Sequence, residues 1–210
     1  MSNGDGEDMV TKRRVETMEE NRAKLIMAAR KAFAEKGFAA ASMDELTASV
    51  GLTRGALYHN FGDKKGLLAA VVAQIDAEMA QRAKDEASHA SDDWEKLLAE
   101  GVAYIKMALD PEVRRIVLLD GPAFLGDPAQ WPGQISCLDA TRQTVKKMLD
   151  CGVLKAVDAD AAAHMLNSAA MNAAIWIAAS NEPEKALPKI IAVFTQLASG
   201  LRNPAPHCTA

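Results

Sequence analysis

The sequence predicts an all-α chain. Apolar residues return at three- and four-residue steps in one segment after another, and Gly or Pro separates those segments. No stretch sustains the period-two alternation of a half-buried strand. Aromatic residues make up 5% of the chain while Ala and Met are plentiful. That balance suits close-packed helices better than a sheet, where β-branched and aromatic residues dominate.

The first periodic segment is residues 21–36, where Leu25, Ala28, Ala29, Ala32 and Phe33 mark one buried face. Asn21 can cap it, in competition with Thr17 and Glu20 as a capping box. Gly37 is the expected stop. Ser42-Met43-Asp44-Glu45 is a sharper start, with two acids in the first turn where the helix dipole favours them. That helix ends by Val50, before Gly51. Thr53 caps a third short helix over 54–60, and Gly62 breaks the chain before Asp63 caps the next. The fourth helix, residues 64–87, carries Leu67, Leu68, Val71, Val72, Ile75 and Met79 on one stripe. A polar stretch over 89–93 leads into a helix over 94–109, closed by Asp110-Pro111. Residues 112–120 form another, with Gly121-Pro122 as its expected stop. Residues 124–133 hold Pro128 and Pro132 and read as short helix or loop. Helical spacing resumes over 135–149. Asp158 or Asp160 caps a helix reaching 179, and 187–201 is the last, its start blurred by Pro183 and Pro188. No internal repeat is evident.

The 210 residues suffice for one large domain or two small ones, and 49% hydrophobic with 25% charged is ordinary for a soluble globular chain. No run approaches the roughly 20 apolar residues of a membrane span, so no membrane partner is expected. Residues 1–8 are polar and acidic, unlike a signal peptide, and 1–15 are expected to be a disordered leader. Cys137, Cys151 and Cys208 lack metal-ligand spacing, and a reduced, cytoplasmic setting fits them. His59, His89, His164 and His207 are scattered, and there is no Gly-rich phosphate loop. No catalytic residue, metal or cofactor is expected, and the chain is not read as an enzyme.

A net charge of −4 at first argues against a nucleic-acid partner, but it is unevenly spread. Residues 12–70 carry 11 Lys or Arg against 7 Asp or Glu, whereas 71–210 carry 13 against 18. A basic N-terminal segment on an acidic body is compatible with local DNA contact. Within that segment, two short helices joined through a Gly have the layout of a helix-turn-helix, motif about 43–61. The second helix must enter a groove about 12 Å wide, braced by apolar contacts behind it. Leu46, Val50, Leu52, Leu57 and Phe61 can brace it, leaving Arg54, Tyr58, His59 and Asn60 for the outer face. Gly55 and Ala56 leave room for close backbone approach. Lys64 and Lys65 oppose the dipole of the fourth helix, an arrangement that suits a phosphate between them. A Gly-linked helix pair also occurs in many proteins that never touch DNA.

The run from Gly51-Leu52-Thr53-Arg54-Gly55-Ala56-Leu57-Tyr58-His59-Asn60-Phe61 to Gly62-Asp63-Lys64 resembles the signature of the tetracycline-repressor (TetR) family. Ala28-Ala29 with Phe33 and Gly37-Phe38 is similar to that family's first helix, and Ser42-Met43-Asp44-Glu45-Leu46 to its second. The resemblance covers about residues 21–68. It implies that Thr53, Tyr58 and Lys64 touch phosphates, while Arg54, Gly55, Ala56 and His59 face the bases or the groove floor. Arg54 is then the residue for bidentate contact with guanine. Asn60 departs from a frequent His and Thr47 from a common Ala, so Asn60 is carried as a DNA-binding position with its contact open.

The resemblance also implies the architecture: a three-helix DNA-binding domain joined by a long helix to a helical-bundle domain that binds ligand and dimerises. The expected divisions are 16–66 for DNA binding, 67–203 for effector binding and dimerisation, and 204–210 for a flexible tail. A segment over 110–126 resembles one subgroup of the family's C-terminal domains. Pocket candidates are the large, soft apolar residues Trp94, Met107, Phe124, Trp131, Met148, Met165, Met171 and Trp176, with His164 and Asn167 as polar anchors. Each of them also fits plain core. For dimerisation, the Ala- and Ser-rich 161–179 and the face Leu187, Ile190, Ile191, Phe194, Leu197 and Leu201 are expected to build a four-helix bundle with a second copy. The expected function is sequence-specific binding of a palindromic double-stranded DNA operator by a homodimer. Release would follow when an unknown small hydrophobic effector binds. The alternative is an effector-independent DNA-binding or architectural protein of the same fold.

Overall fold

The computed structural model describes the backbone of residues 4–204 and the side chains of residues 15–204. Residues 1–3 of the expected leader, and His207, Cys208 and the expected tail from 205 onward, lie outside the described residues. Among the described residues there is no strand; one isolated antiparallel bridge joins Leu154 and Arg202. The chain divides into two compact units, Met1–Val72 and Ala73–Ala210.

The first unit holds α1 (Gly4–Ala40), α2 (Met43–Ser49), α3 (Arg54–Phe61) and the opening of α4 (Lys64–Glu86). Leu25, Ala29 and Phe33 of α1, Leu46 of α2, Leu57 of α3, and Leu67, Leu68 and Val71 of α4 close its core. The apolar stripes read from the sequence supply all of them. α1 begins at Gly4, so residues 4–15 are helical where a disordered leader was expected. Strong helix formers such as Glu16, Met18, Glu19 and Glu20 carry the helix backward past Asn21 and Thr17. At Gly37 the backbone leaves helical values (φ 78°, ψ 162°), a conformation open to glycine, and the chain bends there. The Phe33 and Phe38 rings then meet edge to face at 5.5 Å.

The second unit is built from the rest of α4 with α5 (Asp93–Lys106), α6 (Gly121–Leu125), α7 (Pro132–Asp150), α8 (Ala159–Ala179) and α9 (Pro183–Ser199). α8 packs against α5, α7 and α9. Most of its buried side chains are small, Ala162, Ala163, Ala170, Ala174 and Ala178, with Leu166 and Ile177 between them. Close approach of neighbouring helices follows. Trp94, Val145, Met148, Leu154 and Leu166 fill the core beside them. Asp158, not Asp160, caps α8, accepting from Ala161 N at 2.8 Å.

Gly121-Pro122 does not stop a helix as expected. Val113–Asp120 is a π-helix that runs directly into α6, and the Gly121 N–H bonds the Ile116 carbonyl, five residues back. Pro122 has no N–H for either kind of turn, and it stands in the first turn of α6, where proline is tolerated. Gly121 is also buried against the Trp131 ring, 2.7 Å from where a Cβ would stand. α7 and α9 each open with proline in the first turn, at Pro132 and Pro183, which places both starts earlier than the expected 135 and 187.

Candidate nucleic-acid interface and effector cavity

The reading head is assembled by local signals. The Ser42 hydroxyl accepts from Glu45 N at 3.4 Å, capping α2. The reciprocal half of the expected capping box is absent, because the Glu45 carboxylate turns instead to Lys36 Nζ at 2.7 Å. That pairing holds the Glu45 carboxyl below its usual range and the Lys36 ammonium above its own. Thr53 caps α3 through Ala56 N at 3.2 Å, and Asp63 caps α4 through Gly66 N at 2.7 Å. Thr47 is buried, and its hydroxyl donates within α2 to the Met43 carbonyl at 3.0 Å, so the polar atom is satisfied where the family usually has Ala.

With Leu57 facing inward, Thr53, Arg54, Gly55, Tyr58 and His59 are exposed, and Ala56 and Asn60 are half-buried. Arg54, Gly55, Tyr58 and His59 share the one-turn spacing of a single helix face. Arg54 Nε lies 3.3 Å from Asp44 Oδ1 on α2, and its guanidinium reaches the Tyr58 hydroxyl at 3.5 Å. A Cβ on Gly55 would meet nothing nearer than Thr53 Oγ1 at 3.6 Å, so the fold does not require glycine there. At Gly66 it does: a Cβ would stand 1.9 Å from the Phe61 carbonyl oxygen.

Three features were not foreseen. Lys64 is half-buried, donates to the Ala39 carbonyl at 3.3 Å and lies over the Phe38 ring at 4.7 Å. Burial pushes its ammonium below the ordinary lysine range. Asn60 donates back to the Ala56 carbonyl at 2.7 Å, which turns its amide nitrogen toward its own helix. Arg22 of α1 covers the Phe61 ring at 4.6 Å and donates to the Asn60 carbonyl at 3.3 Å, fastening the end of α3 to α1.

The second unit contains a cavity of about 100 Å³ among α4, α5, α7, α8 and α9. Trp94 and Asn167 are the two pocket candidates that line it. Asp76 sits there at 6% exposure, its Oδ1 accepting from Gln134 Nε2 at 2.7 Å. The Tyr104 phenol beside them is pushed up by burial and then by the Asp76 charge. Burial likewise raises the Asp76 carboxyl, partly offset by the Gln134 bond, and raises Glu100. Thr141 Oγ1 donates to the Cys137 carbonyl and lies 3.0 Å from the Asn167 side-chain amide.

The other eight pocket candidates are elsewhere. Met107 and Met148 are buried core, and Phe124, Trp131 and Met171 are half-buried outside the cavity lining. His164 is exposed, as are Met165 at 70% and Trp176 at 63%. The physical reason lies in α8, whose inward face is taken by alanines with Leu166 and Ile177, which leaves His164, Met165 and Trp176 on the outward one. On α9, Ile190 and Phe194 are buried within the subunit rather than offered to a partner, and a Cβ on Gly101 of α5 would collide with the Phe194 ring at 2.7 Å. Val193 (58% exposed) and Leu197 (66%) form its outward apolar face. Sequence reasoning missed Asp76, Glu100, Tyr104 and Gln134. Asp76 carried a signal, since positions 72, 75, 76 and 79 share one helical face and an acid on a buried stripe is an anomaly.

Among the described residues no group of metal-ligating side chains occurs, and no helix is long and apolar enough to cross a membrane. Residues 25–71 match the family described as bacterial regulatory proteins, tetR family. Residues 94–201, about half the chain, match the tetracyclin repressor-like C-terminal domain. A crystal structure of a TetR-family transcriptional regulator from Pectobacterium atrosepticum is 44% identical, with a TM-score of 0.81, over 91% of this chain and 98% of that one. The HTH-type transcriptional repressor AcnR of Corynebacterium glutamicum is 29% identical over 64% of this chain and 69% of its own length. The Tn10 TetC protein of Escherichia coli is 28% identical over 85% of this chain and 91% of its own. Reading head, helical second unit and both family matches agree: this chain belongs to the TetR family of DNA-binding transcriptional regulators.

Proposed function

We propose that the chain is a repressor that holds a palindromic operator as a homodimer and leaves it when a small molecule occupies the second unit. The observation that carries this reading is the exposed face of α3. It offers Arg54, Gly55, Tyr58 and His59 together, with a Gly that the fold itself does not need. Arg54 reads a guanine, Ala56 and His59 approach the bases or groove floor, and Thr53, Tyr58 and Lys64 anchor phosphates. Asn60 keeps one amide N–H and its side-chain oxygen for DNA, the other N–H going to Ala56.

Met165 and Trp176 of α8 lie eleven residues apart, three helical turns, and so share a face; Val193 and Leu197 of α9 do the same one turn apart. Large exposed apolar side chains on two adjacent helices support pairing of these faces with a second copy. Two reading heads then meet half-sites about 34 Å apart, and an effector that favours a different arrangement releases them.

The cavity favours keeping the second reading, effector-independent DNA binding, in view: about 100 Å³ is below the roughly 300 Å³ of an ordinary ligand pocket. Native mass spectrometry separates the two. The repressor reading expects two protomers on a palindromic duplex from the region flanking the gene, and a retained or added small molecule that dissolves the complex. A complex that no cavity ligand dissolves supports the effector-independent reading.

A further inference from the structure

We propose that the cavity takes a compact organic cation, a protonated amine on a short apolar body, and that Asp76 selects it. This rests on the reading of the cavity as the effector site.

Asp76 is the most deeply buried charged group of the lining, and Glu100 of α5 joins it half-buried; the positive group of the lining, Lys84, is exposed. An anion entering the cavity would meet two acids. Asp76 Oδ1 accepts one hydrogen bond, from Gln134. A carboxylate has about four acceptor positions, and a buried one left short of donors costs free energy. Oδ2 lies against Gly133, where a Cβ would stand 2.1 Å away, so only glycine leaves that oxygen its place. An ammonium supplies three donors to such a site.

The remaining walls suit the rest of a cation. Trp94, Tyr104 and Phe194 line the cavity, and aromatic faces attract an ammonium and the carbons beside it. The volume sets the size, since a cavity of about 150 Å³ holds benzene and this one is about 100 Å³. The ligand therefore has a short alkyl or small cyclic body. Binding opposes protonation of Asp76, so affinity for an amine rises with pH through that titration. Lys84 of α4, Glu100 and Tyr104 of α5 and Cys137 of α7 are the other titratable groups facing the cavity; α8 and α9 contribute Asn167 and Phe194, which do not titrate.

The test titrates the full-length protein with n-butylamine, n-butanol and butyrate, read by ligand-observed NMR, alongside Asp76→Asn. The amine is expected to bind about tenfold or more tighter than the alcohol at pH 7, with butyrate weakest. Asp76→Asn brings amine and alcohol within about threefold of each other. If that variant does not fold, the wild-type pH profile decides, with amine affinity falling on acidification while alcohol affinity stays level. Equal binding of amine and alcohol, tighter binding of butyrate, a preference that survives Asp76→Asn, or no binding of any probe overturns the proposal. Operator release is measured separately: release by an uncharged or anionic compound overturns the cation class and leaves the effector-released repressor standing.

Discussion

The guanidinium of Arg54 on α3 lies 3.3 Å from the carboxylate of Asp44 on α2, so the side chain assigned to base reading is held by an acid of the preceding helix. Both side chains are largely exposed, and such a pair contributes about 0–1 kcal/mol. Asp44→Ala is therefore expected to leave thermal stability nearly unchanged while raising affinity for any duplex severalfold at low salt, because a negative charge leaves the phosphate-facing surface. Fluorescence anisotropy at two salt concentrations checks it, and a fall in affinity would contradict the placement of Asp44 beside DNA.

Two glycines one helix apart should respond oppositely. Gly55→Ala makes only an ordinary contact with Thr53 Oγ1 and removes a helix-disfavouring residue, so stability rises by up to about 1 kcal/mol while DNA affinity falls through crowding at the groove. Gly66→Ala drives a Cβ into the Phe61 carbonyl and should cost more than about 2 kcal/mol of the first unit's stability. Denaturant melts with a DNA titration of each variant decide both.

Asp76 makes the second unit sensitive to pH in a definite direction. Its folded-state pKa lies above the ordinary 3.8 because burial disfavours the charge. The carboxyl's contribution to stability is thus complete below the unfolded value and lost as pH rises through the folded one. Asp76→Asn stays neutral and escapes that loss. Melting temperatures of variant and wild type should differ least below about pH 3.8, with the variant gaining on the wild type toward pH 7. A variant that loses ground over that interval would show that the charged carboxylate stabilises the fold.

The outward face of α8 and α9 predicts the behaviour of the dimer. Trp176→Glu and Leu197→Glu each place a charge on an exposed apolar surface, so the isolated fold should tolerate them. Association should weaken by about thirtyfold or more, the loss typical of a central interface anchor. Sedimentation equilibrium measures it. Unchanged association would move the interface to another face.

The reading head was legible because its determinants are local. Ser42, Thr53 and Asp63 each cap a helix three residues away, and the stripe from Leu67 to Met79 declares its buried side. The cavity was not, because five helices distant in sequence build it, and softness of a side chain says nothing about which way a helix turns. α8 shows the failure most clearly. Five alanines, Leu166 and Ile177 take its inside, and Met165 and Trp176, chosen for bulk, face outward. The Gly121-Pro122 pair misled for a related reason: proline ends a helix from its interior, and here Pro122 opens α6 directly behind a π-helical segment.

Anisotropy titration of a palindromic duplex from the region flanking the gene, against a scrambled duplex, with wild type and Arg54→Ala, tests the central claim most directly. Sequence-specific reading by α3 predicts a wild-type preference of about 10³-fold or more. Arg54→Ala should lose about 1–3 kcal/mol on the operator and relax discrimination at one base pair in each half-site. Equal affinity for both duplexes, or an operator affinity that Arg54→Ala leaves untouched, would contradict it.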